Sequence, residues 1–338
     1  MQASSGQHHR DRNALPGASR PRAAWGCSTS LTIEAEGTGS RGEREQTLTI
    51  DFLVIGHITH DRAPEGFRLG GTVSFAAVTA LRLGLRPGII TRGSAEGLQD
   101  GEERAGGCRL VTPAGGPLAG VPICRLPAPV STTFVNVYQQ GHRTQFIESR
   151  ADPVTPDTLP AEWAAPPIVL LGPIAREVPP EWTALFPAAL LGVTPQGWLR
   201  TWDETGRVRP SRWDNAAAFL ERADAVILSR EDVGGDEGYI AELAGQTRLL
   251  VVTDGWHGAT VYRAGTPHLI PPRPTVEVDP TGAGDVFAAA FLIRLRETGD
   301  PLVAARFANV VASMSVEAPG IDSIPWRAQA EAWLKENG

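Results

Sequence analysis

The sequence contains almost no lysine. Of its 31 basic residues, only Lys335, near the C-terminus, is a lysine, and the others are arginines. A Walker-type phosphate loop needs Gly-Lys-Ser/Thr, and a pyridoxal enzyme needs an internal lysine, so both classes are excluded. Any phosphate-binding site in this chain must therefore use arginine side chains, backbone N–H groups or a metal ion.

Cysteine is also scarce. Cys27, Cys108 and Cys124 are scattered, odd in number and without C-x-x-C spacing. This pattern excludes a disulfide framework and a cysteine-based zinc site, and it is typical of cytoplasmic proteins. We therefore expect a cytoplasmic protein without a framework of disulfides.

Long hydrophobic runs and excess positive charge are missing as well. No apolar segment approaches the roughly 18 residues of a membrane helix. The formal net charge is −7, which argues against a nucleic-acid-binding surface. With 338 residues, 42% of them hydrophobic, the chain is long enough to bury a large core. We expect a globular protein that binds neither membranes nor nucleic acids.

The first part of the chain differs in composition from the rest. Residues 1–48 are small, polar and rich in arginine, with no apolar periodicity, and we predict a disordered N-terminal extension. A transit peptide is the alternative interpretation of the same composition. Residues 49–338 are predicted to form one domain.

Short apolar segments separated by helical lengths predict a doubly wound parallel sheet. The segments predicted as strands are 48–56, 168–173, 189–194, 225–229 and 249–253. In addition, residues 131–138 and 144–148 alternate between apolar and polar and flank a turn at 139–143, which predicts a β-hairpin.

The chemically most informative stretch is Asp279-Pro280-Thr281-Gly282-Ala283-Gly284-Asp285, which leads into an apolar helix. Glycines at 282 and 284 let several N–H groups point at one place, and the helix dipole adds positive potential there. Asp285 follows directly, and a base beside an anion site is what phosphoryl transfer to a hydroxyl requires. The alternative is an ordinary acidic residue in the first turn of a helix.

This stretch, followed by Phe287, resembles the C-terminal signature of the ribokinase-like (PfkB) carbohydrate kinases. The resemblance implies a ribokinase-like fold, with a doubly wound sheet in three αβα layers and a small β lid. It also implies that Asp285 is the catalytic base and that the backbone of Gly282, Ala283 and Gly284 forms the anion hole for the transferred phosphate.

The same resemblance implies an acceptor site. Asp61, after the first strand, falls on a position that binds substrate hydroxyls in the family, and Gly70 and Gly71 match a glycine pair that packs close to the sugar. Asn136, in the predicted hairpin, is a further candidate contact; a solvated hairpin residue is the alternative. Phe75 or a neighbour replaces an asparagine usual in the family, and the lid strands, expected at about 62–70 and 120–150, are short. We therefore expect a reduced lid and a less typical substrate.

Metal and nucleotide sites are implied at three other strand ends. Ser229-Arg230-Glu231-Asp232 occupies the place of an N-x-x-E motif that holds Mg²⁺ through water, which leaves the metal role open between Glu231 and Asp232. Asp279 and the loop 319–323 resemble a monovalent-cation site, such as one for K⁺.

For the nucleotide, Thr253, Gly255 and Gly258 resemble a turn that faces the phosphates, and Asn309 resembles a residue near the adenine. An ordinary strand-turn-strand and an asparagine that binds a neighbouring carbonyl are the alternatives. Arg200 is either a phosphate clamp or a surface residue.

The function implied is ATP- and Mg²⁺-dependent transfer of the γ-phosphate to a sugar or polyol. Pro271-Pro272, Gly172-Pro173 and residues 196–200 look most like inositol kinase-type members, which suits myo-inositol as acceptor. A nucleoside kinase and a non-catalytic binding or regulatory protein with the same fold are the alternatives. We expect a monomer or homodimer that binds a small molecule.

Overall fold

The computed structural model describes residues 49–63, 66–95, 101–139 and 142–337; the predicted N-terminal extension lies outside this part of the chain. The strands of the described residues are β1 (Phe52–Ile55), β2 (Thr59–Ala63), β3 (Gly66–Gly70), β4 (Pro87–Gly93), β5 (Glu102–Glu103), β6 (Arg109–Val111), β7 (Ile123–Pro127), β8 (Thr133–Gln139), β9 (His142–Ser149), β10 (Ile168–Leu171), β11 (Leu190–Val193), β12 (Arg200–Trp202), β13 (Val208–Pro210), β14 (Ala225–Ser229), β15 (Leu249–Thr253), β16 (Ala259–Arg263) and β17 (Thr266–Ile270). The α-helices are α1 (Thr72–Arg82), α2 (Ala216–Leu220), α3 (Glu237–Gln246), α4 (Ala283–Thr298), α5 (Pro301–Ser315) and α6 (Arg327–Asn337).

The main sheet has 11 strands in the order β17-β16-β15-β14-β11-β10-β1-β4-β7-β6-β5. All neighbours from β15 to β7 pair in parallel, which confirms the five predicted strands. Both edges are antiparallel, so the sheet as a whole is mixed, with a parallel centre. The physical reason is connection length, because the short turns between β15, β16 and β17 can join only antiparallel neighbours.

The sheet is covered on both faces, so the domain has three layers. Alternate residues of β1 enter different cores: Phe52 and Val54 pack with α1, α4 and α5, whereas Leu53 and Ile55 pack with α3 and with buried aromatic residues such as Trp182. Burial on both faces explains why the central strands are continuously apolar instead of alternating. Among the described residues, no helix is both long enough and apolar enough to cross a bilayer.

A second sheet of four strands, in the order β3-β2-β8-β9, forms the lid. It consists of two hairpins joined by β2 and β8, and the predicted hairpin at 131–148 is confirmed. Arg62 of β2 forms a two-point ion pair with Glu148 of β9, with N–O distances of 3.1 and 2.8 Å. The predicted lid segment 120–150 was too long, because β7 belongs to the main sheet.

One expectation about cysteine is wrong. Cys108 and Cys124 are both buried and form a disulfide between β7 and the residue preceding β6, with a Cα–Cα distance of 5.5 Å. Inspection of sequence spacing missed this pair because antiparallel pairing of β6 with β7 brings together residues 16 positions apart. Cys27 lies outside the described residues.

The loops that leave β1 and β10 are held together by a buried carboxylate. Glu177 has no exposed surface and accepts hydrogen bonds from the backbone N–H groups of His57 (2.9 Å), Ile174 (3.1 Å) and Ala175 (2.7 Å). The imidazole of His57 lies 2.8 Å from the hydroxyl of Thr132, which leads into β8. These contacts fix the carboxyl ends of the central strands, where ligands bind in open α/β sheets, and connect them to the base of the lid.

Candidate active site

The start of α4 has the geometry of an anion-binding turn. Gly282 precedes the helix in the left-handed conformation, with φ 77° and ψ 0°, which a glycine adopts at little cost. Of the three residues predicted to form the anion hole, Ala283 donates its N–H to the carbonyl of Pro280 at 3.1 Å. The N–H groups at the start of a helix otherwise have no partner within it, so the backbone around Gly282 and Gly284 is suited to bind an anion. We call residues 282–284 the anion nest.

Asp285 lies in the first turn of α4, beside this nest. Burial raises the pKa of its carboxyl group to about 6, and the negative charge of Asp232 acts in the same direction. The Thr72 hydroxyl and the positive charge of Arg200 oppose the increase. A carboxylate with such a pKa is still mostly ionised at pH 7 and is a stronger base than an ordinary aspartate.

Asp61 lies near the same region, because it packs against the residues at the start of α1. It lies in β2, and a Cβ added to Gly70 would be 3.1 Å from its Oδ2 atom, so the missing side chain makes room for the carboxylate. Gly71 precedes α1 with φ 87°, and a Cβ there would overlap the carbonyl of His57. Thr72, two residues after Gly70, is beside Asp285. Two residues span at most about 7 Å, so the structure brings the two predicted carboxylates to the same end of α1.

Asn136, the other predicted acceptor contact, lies in lid strand β8. Its side-chain oxygen accepts a hydrogen bond at 3.2 Å from Gln145, the residue directly opposite in β9. This cross-strand bond orients the asparagine within the lid, as expected for either of the two interpretations of this residue.

The two candidate metal ligands after β14 have different surroundings. Asp232 accepts hydrogen bonds from the backbone N–H of Ser229 (2.9 Å) and from the side chain of Gln196 (3.2 Å), and its charge acts on Asp285. Glu231 is exposed. Among the described residues, no group of three or more potential ligands forms a metal site made of protein alone. Mg²⁺ usually binds one or two carboxylates together with substrate phosphates and water, and Asp232 beside Asp285 fits that donor set.

Asp279 connects the signature to the loop 319–323. Its two carboxylate oxygens accept backbone hydrogen bonds from Thr281 (3.0 Å) and Gly320 (3.1 Å). Although burial acts against it, these bonds lower the pKa of Asp279 overall, helped by the charge of Arg68 in lid strand β3. The Ser323 hydroxyl donates to the carbonyls of Ser315 and Gly320. The loop predicted as a cation site therefore already has hydrogen bonds among its own groups.

The residues predicted to face a nucleotide are held mainly by polar contacts within the protein. Thr253 donates its hydroxyl to the carbonyl of Leu228 at 3.4 Å. Gly255 and Gly258 both have positive φ. A Cβ at Gly258 would overlap the carbonyl of Ile270, so the packing of the turn by itself requires a glycine at this position. The Asn309 amide donates to the carbonyls of Ile270 and Pro271 at 3.4 and 3.1 Å, which is the alternative that the sequence left open.

Sequence reasoning missed or undervalued other residues. Arg200 is half-buried, and its charge acts on Asp285, so it is not a simple surface residue. Thr72 beside Asp285, Phe75 beneath Gly282 and Arg68 near Asp279 were not predicted. A signal existed for Thr72 and Phe75, since both follow the glycine pair at the start of an apolar helix.

Comparison with known families supports the predicted relationship. A family model described as pfkB family carbohydrate kinase matches residues 216–327, which include the signature and the turns after β14 and β15. A fructokinase of Klebsiella pneumoniae is 31% identical over 189 residues, covering 51% of this chain and 60% of that protein. A ribokinase of Bacillus subtilis is 45% identical over 87 residues, covering 25% of this chain and 29% of that protein. The chain thus spans less than two thirds of the length of these relatives.

Solved structures confirm the predicted fold. A pyrophosphate-dependent kinase in the ribokinase family, complexed with a pyrophosphate analogue and myo-inositol, superposes with a TM-score of 0.65 at 22% identity and covers 83% of this chain and 99% of its own. The ribokinase of Arabidopsis thaliana, complexed with ribose and ATP, superposes with a TM-score of 0.60 at 18% identity and covers 85% and 99%. At such identities the likeness concerns the fold alone.

Proposed function

We propose that this chain, whose residues 216–327 match the family model of the pfkB family carbohydrate kinases, transfers a phosphoryl group to a hydroxyl of a small sugar or polyol. ATP is the proposed donor. The acceptor hydroxyl lies between Asp61 and Asp285, and its oxygen attacks the γ-phosphorus in line as Asp285 takes the proton. ADP leaves, and a phosphate monoester of the acceptor remains.

The observation that carries this proposal is the pairing of Asp285 with the anion nest. Burial raises the pKa of this carboxyl group to about 6, directly beside a left-handed glycine at the positive end of a 16-residue helix. Burying a negative charge costs stability, so a carboxylate kept there needs another reason. A base beside an anion site provides that reason, because phosphoryl transfer depends on positioning and on stabilising charge.

Three further groups have proposed roles in the transfer. Asp61, with Gly70 and Gly71 against it, orients the acceptor hydroxyls, and Asn136 contacts the acceptor from the lid. Arg200 offsets the negative charge of the phosphates near Asp285, a role that falls to arginine in a chain with a single lysine.

At the donor side, we assign the Mg²⁺ role to Asp232 rather than Glu231, because Asp232 is the one whose charge acts on Asp285. Asp232 would help to hold Mg²⁺, which would neutralise charge on the donor phosphates. Thr253, Gly255 and Gly258 are proposed to face the phosphates through their backbone. Asn309 acts indirectly, since its amide holds the end of β17 through Ile270 and Pro271.

A second candidate is transfer from inorganic pyrophosphate to a cyclic polyol. Two observations favour it. The fold neighbour with a TM-score of 0.65 is a pyrophosphate-dependent kinase complexed with myo-inositol. In this chain, the Asn309 amide that was predicted to lie near an adenine is instead bonded to backbone carbonyls. A donor without a base would not need that contact.

The experiment is an acceptor panel with both donors. ADP release with MgATP and phosphate release with magnesium pyrophosphate are measured with myo-inositol, fructose, ribose and adenosine. The proposal predicts acceptor-dependent release with at least one sugar or polyol, and its loss in the Asp285→Asn variant. Absence of acceptor-dependent release with either donor would contradict it and favour a non-catalytic binding protein. Turnover with adenosine alone would indicate a nucleoside kinase.

A further inference from the structure

The first turn of α1 is shared by both parts of the proposed site. Gly70, just before it, packs against the Asp61 carboxylate, and Thr72 is next to Asp285. One turn further on, Phe75 points toward the anion nest. Phe75 or a neighbour stands where the resembled family usually carries an asparagine, so the chain has an apolar ring close to where a polar group was expected.

The Phe75 ring fills the space beneath Gly282. A Cβ built on Gly282 would lie within 2.5 Å of three carbons of the ring, so the ring occupies the place that a side chain at 282 would need. Phe75 is only 3% exposed and belongs to the same core as Phe291 and other α4 residues. It therefore packs under the nest from inside the protein and does not face the acceptor.

We infer that Phe75 is a positioning residue for phosphoryl transfer: its ring supports the left-handed Gly282 from below and fixes the direction of the N–H groups of the anion nest. This inference rests on the proposed function. Glycine has the widest backbone freedom of any residue, so a nest built on glycine keeps one shape only where its neighbours leave no alternative.

The expected consequence of losing this support is a looser nest in a folded protein. A smaller side chain at 75 leaves a cavity beneath Gly282, and the turn can then relax into it. Misplacing a reacting group by about 1 Å can cost about 100-fold in rate. Transfer should therefore slow, whereas acceptor binding at Asp61 should change little.

The test compares Phe75→Leu with Phe52→Leu. Phe52 is fully buried in the same core and begins β1, at the opposite end of the strand from the ends that carry the site. Both variants lose the same atoms from that core. For Phe75→Leu we expect kcat to fall by about 10-fold or more with the acceptor KM within about 2-fold, as for loss of an interaction made in the transition state. Phe52→Leu should lower Tm comparably and leave kcat within about 2-fold.

A second measurement separates this inference from the proposed function. Binding of inorganic pyrophosphate to each variant is followed by calorimetry and requires no turnover. Phe75→Leu should weaken it relative to Phe52→Leu even if no acceptor is found for the wild type. If the wild type shows no turnover, that result contradicts the kinase proposal but not the role of Phe75.

Equal kcat and equal pyrophosphate affinity in the two leucine variants would overturn the role of Phe75, as would a wild type that binds neither pyrophosphate nor, in the same calorimetric experiment, MgATP. If Phe75→Leu does not fold, Phe75→Met is compared with Phe52→Met by the same criteria, because methionine adapts to irregular core space.

Discussion

The proposed site has two ends, one for phosphoryl transfer and one for the donor, and different forces hold them in place. The transfer end is fixed by close packing, and two of its glycines leave no room for a Cβ. It consists of Asp61, Gly70, Phe75, Gly282 and Asp285. The donor end is held mainly by hydrogen bonds and ion pairs at half-exposed positions. It consists of the turns 229–232 and 253–258 together with Asn309. The transfer end should therefore tolerate few changes of volume, whereas changes at the donor end should cost less and affect the donor mainly.

The largest effect is expected for Asp285→Asn. Loss of a general base should lower kcat by on the order of 10²–10⁴-fold. Stability should change in the opposite direction. The folded-state pKa of about 6 lies above the ordinary value of 3.8, so ionisation of Asp285 destabilises the fold at neutral pH. This cost falls as the pH drops below 6 and is gone below the ordinary value of 3.8.

Asparagine removes that charge, so the free energy of unfolding at pH 7 should rise by up to about 3 kcal/mol, given about 1.4 kcal/mol per pKa unit. Denaturant unfolding and steady-state kinetics on the same preparation measure both effects. An active variant, or one less stable than the wild type, would contradict the assignment of Asp285 as a base with a raised pKa.

Gly282→Ala should have the next largest effect. The left-handed conformation costs an alanine about 1–2 kcal/mol, and overlap with the Phe75 ring adds about 1–3 kcal/mol. The same substitution at Gly284, where a Cβ would meet nothing within 4 Å, is the matched control and should cost less stability. Thermal unfolding compares the two. In a Phe75→Ala background the penalty at Gly282 should shrink, and strict additivity would argue against the contact.

The pH dependence of the wild type tests the transfer end without a mutation. Because Asp285 must be ionised to accept the proton, kcat/KM should fall about 10-fold per pH unit below pH 6. Above pH 6, ionisation of Asp285 should no longer change kcat/KM. Initial rates between pH 4.5 and 8 in a buffer of constant ionic strength measure it. A rate that stays level down to pH 4.5 would show that the pKa of this carboxyl is not raised in the active protein.

The pair Asp232→Asn and Glu231→Gln compares two residues within the donor end. If Asp232 supports the metal, its substitution should raise the concentration of Mg²⁺ needed for half-maximal rate by about 10-fold, within the range seen when groups around a metal are altered. Glu231→Gln, at an exposed position, should change it by less than about 2-fold. Magnesium titrations at fixed donor concentration measure both values. A larger increase for Glu231→Gln than for Asp232→Asn would assign the metal role to Glu231 instead.

The smallest effect is expected for Asn309→Ala. Losing the bonds to the carbonyls of Ile270 and Pro271 should cost about 1 kcal/mol of stability. The ATP KM should change little, because the amide is already engaged with backbone. Chemical denaturation and donor kinetics measure the two values. A large increase in the ATP KM with unchanged stability would show that Asn309 contacts the nucleotide directly.

The sequence could predict those parts of the site that depend on local backbone constraints, but not those that depend on packing between distant residues. The glycine-rich turn, Asp285 and the glycine pair at 70–71 were recognisable because backbone constraints permit few residue types there. The role of Phe75 was not recognisable, since the position was interpreted only as a missing asparagine and its partner is more than 200 residues away in the chain. The disulfide between Cys108 and Cys124 and the charge of Arg200 near Asp285 likewise depend on pairings that only the folded chain reveals.

Direct transfer of the phosphoryl group to an alcohol is tested by identifying the product with phosphorus NMR. The wild-type protein is incubated with MgATP or magnesium pyrophosphate and the acceptor that gives the highest rate in the panel. We expect a new phosphate monoester resonance coupled to one carbon-bound proton position of the acceptor, absent with Asp285→Asn. Accumulation of inorganic phosphate alone, at a rate independent of the acceptor, would contradict it.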